Sequence, residues 1–224
     1  MKEKVILSWS GGKDSAVALH ELQTAGRYQI AALLTTVTHD YDRICMHGVR
    51  RTLLEQQARA LGLPLEIIFI SKSASNGEYE SQMRQVLTRY LAAGVRSVVF
   101  GDVFLEELRE YRQEKLAAIG MGALFPLWRR DTARLACAFI EAGFRAVITS
   151  ADSNLLESAC VGMDFDQQFL SVLPLAVDPC GENGEFHSFV YDGPTFERPI
   201  AYTAGEVVLR ENGFHYCDLL PLSH

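Results

Sequence analysis

The stretch Val5-Ile6-Leu7-Ser8-Trp9-Ser10-Gly11-Gly12-Lys13-Asp14-Ser15 decides the fold. Val5-Ile6-Leu7 is an apolar run of the kind found in short buried strands. Two glycines follow, and Ala18, Leu19 and Leu22 then recur at helical spacing until Gly26. A strand, a glycine turn and a helix start together form a cradle for phosphate. Gly11 and Gly12 let the backbone pass close to an anion with its amides turned inward. The helix start adds unsatisfied N–H groups and a favourable dipole. Lys13 supplies a full positive charge, and Ser10 and Ser15 supply hydroxyl donors. Asp14 either holds Mg²⁺ or caps the helix. As part of a ligand site, Lys13 is expected to be exposed.

Outward from this stretch the same rhythm repeats. Apolar segments at 30–37, 65–70 and 98–100 alternate with helical patterns at 49–61, 79–93 and 105–119, each helix closed at or near a glycine. Asp131-Thr132 then caps a helix to Ala142, and Ala146-Val147-Ile148 reads as a further strand. Strands separated by helices of this length predict a parallel sheet covered on both faces. After about Ser150 the rhythm changes. Short helices at 152–160 and 167–173 precede the polar loop Asp178-Pro179-Cys180-Gly181-Glu182-Asn183-Gly184-Glu185-Phe186-His187. A strand at 188–191 and a strand pair at 207–209 and 214–219 follow, the pair joined by Asn212-Gly213, a hairpin turn signal. The expected division is a nucleotide-binding domain over 1–152 and a small α+β subdomain over 153–224.

Composition narrows the function classes. The chain has 224 residues, 48% hydrophobic and 22% charged, with a net charge of −7. That balance disfavours a nucleic-acid partner, because phosphate contacts call for a basic face. No run approaches the ~20 apolar residues of a membrane span. The start, Met1-Lys2-Glu3-Lys4, carries no signal-peptide pattern, so the expected location is cytoplasmic. Five scattered cysteines, none in a C-x-x-C pair, argue against a disulfide framework or a zinc site. Cys137 reads as core; Cys180, in the polar loop, is open to a chemical or a structural role. A homo-oligomer is compatible with all of this.

The loop is not a Walker A sequence, which needs G-x-x-x-x-G-K-[ST]. Ser10-Gly11-Gly12-Lys13-Asp14-Ser15 resembles the PP-loop, S-G-G-x-D-S, of the ATP pyrophosphatases, a superfamily similar to GMP synthetase and argininosuccinate synthetase. Further segments narrow the resemblance: His47 with Leu54-Glu55-Gln56-Gln57-Ala58 and Leu61-Gly62-Leu63-Pro64; Gly101-Asp102 through Tyr111-Arg112 to Phe125-Pro126-Leu127-Trp128; Leu156-Glu157-Ser158 with Gly162 and Phe165-Asp166; and Gly181 to Phe186 with Phe189, Val190 and Asp192-Gly193-Pro194. Together they resemble the diphthine–ammonia ligase family over nearly the whole chain. Met163 departs from the family pattern, which usually has arginine there. Gly101 to Glu106 and Val177 to Cys180 look like a bacterial-type branch, for which an acceptor other than diphthine is expected.

The resemblance implies a three-layer HUP-type parallel sheet, the PP-loop ATPase architecture, with a C-terminal α+β subdomain. It implies ATP and Mg²⁺, with Ser10, Gly11, Gly12, Lys13, Asp14 and Ser15 on the phosphates and Asp14 on the metal. It implies a carboxylate acceptor, small molecule or protein, that is adenylated and then takes ammonia or an amine, free or from a partner. Thr36 is expected to line the adenine pocket and Gly101 to leave bare backbone for the base. His47 either touches a phosphate or starts a helix. Glu182 and Glu185 are expected to bind the amine, deprotonate it or help hold a metal, and Lys13 and Asp14 are the other expected catalytic residues. Arg112 and Lys115, three apart on a helix, are placed to face one anion. Two rivals stand beside this: an RNA-modifying PP-loop enzyme and a nucleotide-binding regulator without catalysis.

Overall fold

β1 (Glu3–Ser8) lies at the centre of a parallel sheet because both its faces are apolar. Val5 and Leu7 pack to one side and Ile6 to the other, all three fully buried. The computed structural model describes residues 2–44 and 48–222. α1 (Lys13–Ala25) leads to β2 (Tyr28–Thr38), a two-residue β3 (Arg43–Ile44) and α2 (Arg51–Ala60). Then come β4 (Leu65–Ile70), α3 (Asn76–Ala92), β5 (Ser97–Val99), α4 (Glu106–Ala117) and β6 (Gly122–Leu124). The parallel strands run in the order β4-β2-β1-β5-β6, and β3 pairs antiparallel with the end of β2.

The sheet has helices on both faces, as its two-sided apolar strands require. Leu19 and Leu22 of α1 and Leu53 and Leu54 of α2 join Val5, Leu7 and Leu33 on one face. Leu87 of α3 and Leu116 of α4 join Ile6, Leu34 and Val98 on the other. Gly26 ends α1 in the left-handed conformation, φ 68°, where a side chain would be strained. β1 and β5 are neighbours although three helices separate them in sequence. Their carboxyl ends therefore mark the switch point where ligands bind in open α/β sheets.

α5 (Thr132–Glu141) opens the second half, followed by β7 (Arg145–Asp152), a 3₁₀ turn at Ser158–Cys160, α6 (Gln167–Val172), β8 (Phe186–Asp192), β9 (Tyr202–Leu209) and β10 (Phe214–Pro221). Here the expectation for Ala146–Ile148 is corrected. β7 does not extend the parallel sheet; it joins an antiparallel sheet ordered β8-β7-β10-β9. A short apolar run does not specify its partner, and β8 and β10, which supply the hydrogen bonds, come later in the chain. A cut at 152/153 thus falls just after a strand of this second sheet. The sheet packs on the α1 side, where Phe165, Phe169, Phe186 and Phe189 bury against the same core as α1 and α2. Met163 is half-buried against that core, an apolar neighbourhood suited to methionine.

Candidate active site

Gly11 has φ 78°, and this left-handed turn reverses the chain between β1 and α1. Gly12 is the helix cap and receives no side-chain cap, so the alternative of Asp14 as a cap is not realised. The hydroxyls gather instead: Ser10 Oγ lies 3.3 Å from Ser15 Oγ and accepts the Gly12 amide at 3.2 Å, and Ser15 donates to the Gly12 carbonyl at 2.8 Å.

Lys13 corrects the expectation of an exposed side chain, because only 4% of it is exposed. The second sheet and its loop close over it. Its Nζ donates to Asp14 Oδ2 at 2.8 Å and lies 5.4 Å from the centre of the Phe186 ring. Burial alone would lower the ammonium. Asp14, Cys180 and Glu182 overcome this and hold it above its ordinary value, so the buried lysine stays charged. β8 reaches the loop directly: Val190 N donates to the Gly11 carbonyl at 2.9 Å, and Lys13 N donates to Ser188 Oγ at 3.2 Å.

Glu182 comes from the loop before β8. Its Oε1 accepts the Val103 amide at 2.7 Å, which fixes it beside the end of β5. Burial pushes the Glu182 carboxyl up to about 7; the Val103 amide and Lys13 oppose the rise, and the Asp14 charge adds to it. Asp102 is raised by burial and by Asp14, with Arg112 opposing, 2.8 Å from its Oδ2. Burial and Lys13 bring the His187 imidazole down to about 4. The result is one lysine, three interacting carboxylates and a neutral histidine around the α1 start. Burial carries the Cys180 thiol up to about 12, and it donates to the Thr132 carbonyl at 3.3 Å. That thiol is held protonated in a packed position.

The other expected residues are dispersed. Glu185 is buried and turned to its own loop: Oε1 accepts from Asp178 N at 3.0 Å and Asn183 Nδ2 at 2.9 Å, and Oε2 from Asn183 N at 2.9 Å. Gly101 lies against α1, where a Cβ would come within 2.9 Å of the Asp14 carbonyl carbon, so its lack of a side chain serves that close approach. Thr36 is half-buried on β2, two residues beyond Leu34 on the same face. Leu34 joins Ser8, Phe100, Tyr79, Tyr111 and Arg112 around a pocket of about 170 Å³ between α3 and α4. Arg112 pairs with Asp102 and Lys115 with Glu80 at 2.8 Å, and both side chains line that same pocket. His47 lies outside the described residues.

Sequence reasoning gave no role to Gln57, Asp102 or Ser188, each of which touches this cluster or its loop. Gln57 and Asp102 stood inside segments quoted for the family resemblance without a role of their own, and Ser188 directly follows the polar loop that ends at His187. Among the described residues no group of three or more His, Cys, Asp or Glu is placed to hold a metal ion alone. Among them, too, no helix is long and apolar enough to cross a membrane.

Comparison with known proteins matches both halves. The diphthamide synthase N-terminal domain family covers residues 3–121, and the diphthamide synthase C-terminal domain family covers residues 131–218. A diphthine–ammonia ligase of Danio rerio is 27% identical over 223 residues, spanning 91% of this chain and 88% of its own. One from Bos taurus is 26% identical, spanning 89% of this chain and 82% of its own. One from Schizosaccharomyces pombe is 24% identical over 94% of this chain, which spans only 38% of that longer protein. With the Ser10–Ser15 loop and the Glu182 loop inside the two matched regions, the chain belongs to the diphthamide synthase family.

Proposed function

We propose that this chain is an ATP-dependent amide-forming ligase that adenylates a carboxylate and passes it to ammonia or an amine. The observation that carries this reading is the meeting of a serine-rich phosphate loop with the Glu182 carboxylate around one charged, buried lysine. The names of the relatives, diphthine–ammonia ligases, support a ligase.

The residues fit a polyphosphate. Ser10 and Ser15 offer hydroxyls and Lys13 a charge, while the start of α1 offers amides. Mg²⁺ usually takes one or two carboxylates and completes its shell with phosphate oxygens and water. A lone Asp14, 29% exposed, suits that role. When bound, the metal would neutralise charge on the phosphates. In the first step an acceptor carboxylate oxygen attacks the α-phosphorus, the bond to the β-phosphate breaks, and pyrophosphate leaves. In the second, the amine nitrogen attacks the acyl carbon, AMP leaves with the bond electrons, and the surplus proton goes to Glu182. A carboxylate pushed up to about 7 is basic enough to take that proton near neutral pH. Lys13 would stabilise negative charge in both steps. Glu185 holds the loop that carries Glu182. Residues 153–224 would contribute the acceptor side and residues 1–152 the nucleotide side, with β7 binding the two.

The test is product identity. With ATP labelled separately at the α- and γ-phosphates, incubated with candidate carboxylates and ammonium, labelled AMP and pyrophosphate are expected. Formation of ADP and phosphate alone would overturn the assignment.

A further inference from the structure

Gln57 has no exposed surface, and a buried carboxamide must find partners for all its donors and acceptors. It finds them on three residues of two distant segments. Its Oε1 accepts Trp9 Nε1 at 2.9 Å, from the stretch joining β1 to the phosphate loop. Its Nε2 donates to the Gly11 carbonyl at 2.9 Å, within the phosphate loop, and to the Val190 carbonyl at 2.7 Å, on β8 of the second sheet. The Gly11 carbonyl also accepts Val190 N, so this one oxygen is clamped by both Gln57 and β8.

The clamp has a consequence for anion binding. In a trans peptide the carbonyl and the following N–H point in opposite directions. Holding the Gly11 carbonyl toward Gln57 and Val190 therefore holds the Gly12 N–H the other way, toward the Ser10 hydroxyl, which accepts it. The fit is close: a Cβ on Gly11 would stand 2.7 Å from Gln57 Oε1, so glycine is required here by the carboxamide as well as by its φ of +78°. β8 follows the Glu182 loop at once, and its Ser188 takes the Lys13 amide.

We infer that Gln57 is a positioning residue that sets the peptide orientation of the phosphate loop and makes the loop and β8 one mechanical unit. Acceptor-side and nucleotide-side groups then keep a fixed register during adenylation. The inference rests on the ligase reading for its catalytic meaning, but the coupling itself does not.

The test substitutes Gln57→Glu, which keeps shape and the acceptor for Trp9 but removes the two N–H donors, leaving one carboxylate oxygen facing two carbonyls. Amide hydrogen exchange is read over residues 9–15 and 186–191 without ligand, alongside calorimetry with ATP–Mg²⁺. Both segments are expected to lose protection together, by 10-fold or more, while α3 and α4 are unchanged. ATP affinity is expected to fall by at least 10-fold. Unchanged exchange in either segment, or a uniform loss over the whole chain, overturns the coupling. If Gln57→Glu fails to fold, Ser188→Ala removes the Lys13 amide link alone, and the same paired loss of protection is required of it. Wild-type protein that binds no ATP refutes the ligase reading, and the exchange result still decides the coupling.

Discussion

The Glu182 carboxylate accepts the Val103 amide at 2.7 Å, tying the loop before β8 to the end of β5. This bond holds a carboxyl whose proton affinity burial has raised, from an ordinary 4.5 up to about 7. The folded chain binds that proton more tightly than the unfolded chain. Its contribution to stability is therefore full below about pH 4.5 and is lost as pH climbs through about 7. Glu182→Gln removes the titration. Melting temperatures of the two proteins are expected to diverge in favour of the variant as pH rises across that window. A constant difference would show an ordinary carboxyl. Under the proposed role of Glu182 as the base, ligation in the wild type should run the opposite way, rising with pH as the carboxylate is freed.

Lys13 calls for a substitution that separates charge from packing. Its side chain is buried, with Nζ bonded to Asp14 and 5.4 Å from the centre of the Phe186 ring, so Lys13→Ala would open a gap and strand a carboxylate. Lys13→Met keeps the stem and removes the charge. It is expected to weaken ATP binding by roughly 10- to 100-fold, the scale of a charged hydrogen bond. The Ala variant should in addition melt lower than the Met variant. Calorimetry and thermal melts check both, and unchanged ATP affinity in Lys13→Met would remove the lysine from the site.

Much of this was legible because local chemistry spoke plainly. Val5-Ile6-Leu7, the two glycines and the Ala18-Leu19-Leu22 spacing required only neighbours in sequence to be read. The start of α3 was legible too but lay unread: Ser75 and Glu78 form a capping box, which starts the helix at Asn76 rather than Tyr79. Other features depend on residues far apart. Whether Lys13 is exposed depends on Phe186, and the pairing of β7 depends on β8 and β10. Glu182 and Glu185 look alike in the sequence Gly181-Glu182-Asn183-Gly184-Glu185. Only the folded loop turns one toward Val103 and the other toward Asn183.

A second tie joins the two sheets at Asp218 of β10. Its carboxylate accepts from Arg43 Nη1 at 2.8 Å and from Arg50 Nη2 at 2.7 Å. Burial alone would raise this carboxyl; the two guanidiniums overcome it and hold it well below the usual carboxylate range. A depressed carboxyl contributes stability above its unfolded pKa, 3.8, and loses it as pH falls further. Asp218→Asn should therefore cost about 1 kcal/mol at pH 7, the scale for a partly solvated pair. The difference should narrow in acid. Urea unfolding at pH 7 and pH 3 measures it, and an equal difference at both would break the link to ionisation.

Glu185→Gln provides the contrast with Glu182. Both Glu185 oxygens accept hydrogen bonds from the loop they brace, and the side chain is buried. Gln replaces one acceptor oxygen with an NH₂ group that confronts a donor, Asn183 N or Asp178 N. A buried donor left without an acceptor costs about 1–3 kcal/mol. The variant is therefore expected to melt several degrees lower and to lose protection from exchange around 178–186, while ATP affinity holds. Ligation should fall only as far as the loop loosens, and a temperature drop should recover part of it. Glu182→Gln, by contrast, should keep the loop intact and cost roughly 10²-fold in the second, amine-dependent step, the scale of a lost general base. Pyrophosphate release and amide formation, measured separately for both variants, divide the roles. If Glu185→Gln is as stable as wild type yet equally inactive at every temperature, Glu185 acts on the amine and the brace is not its function.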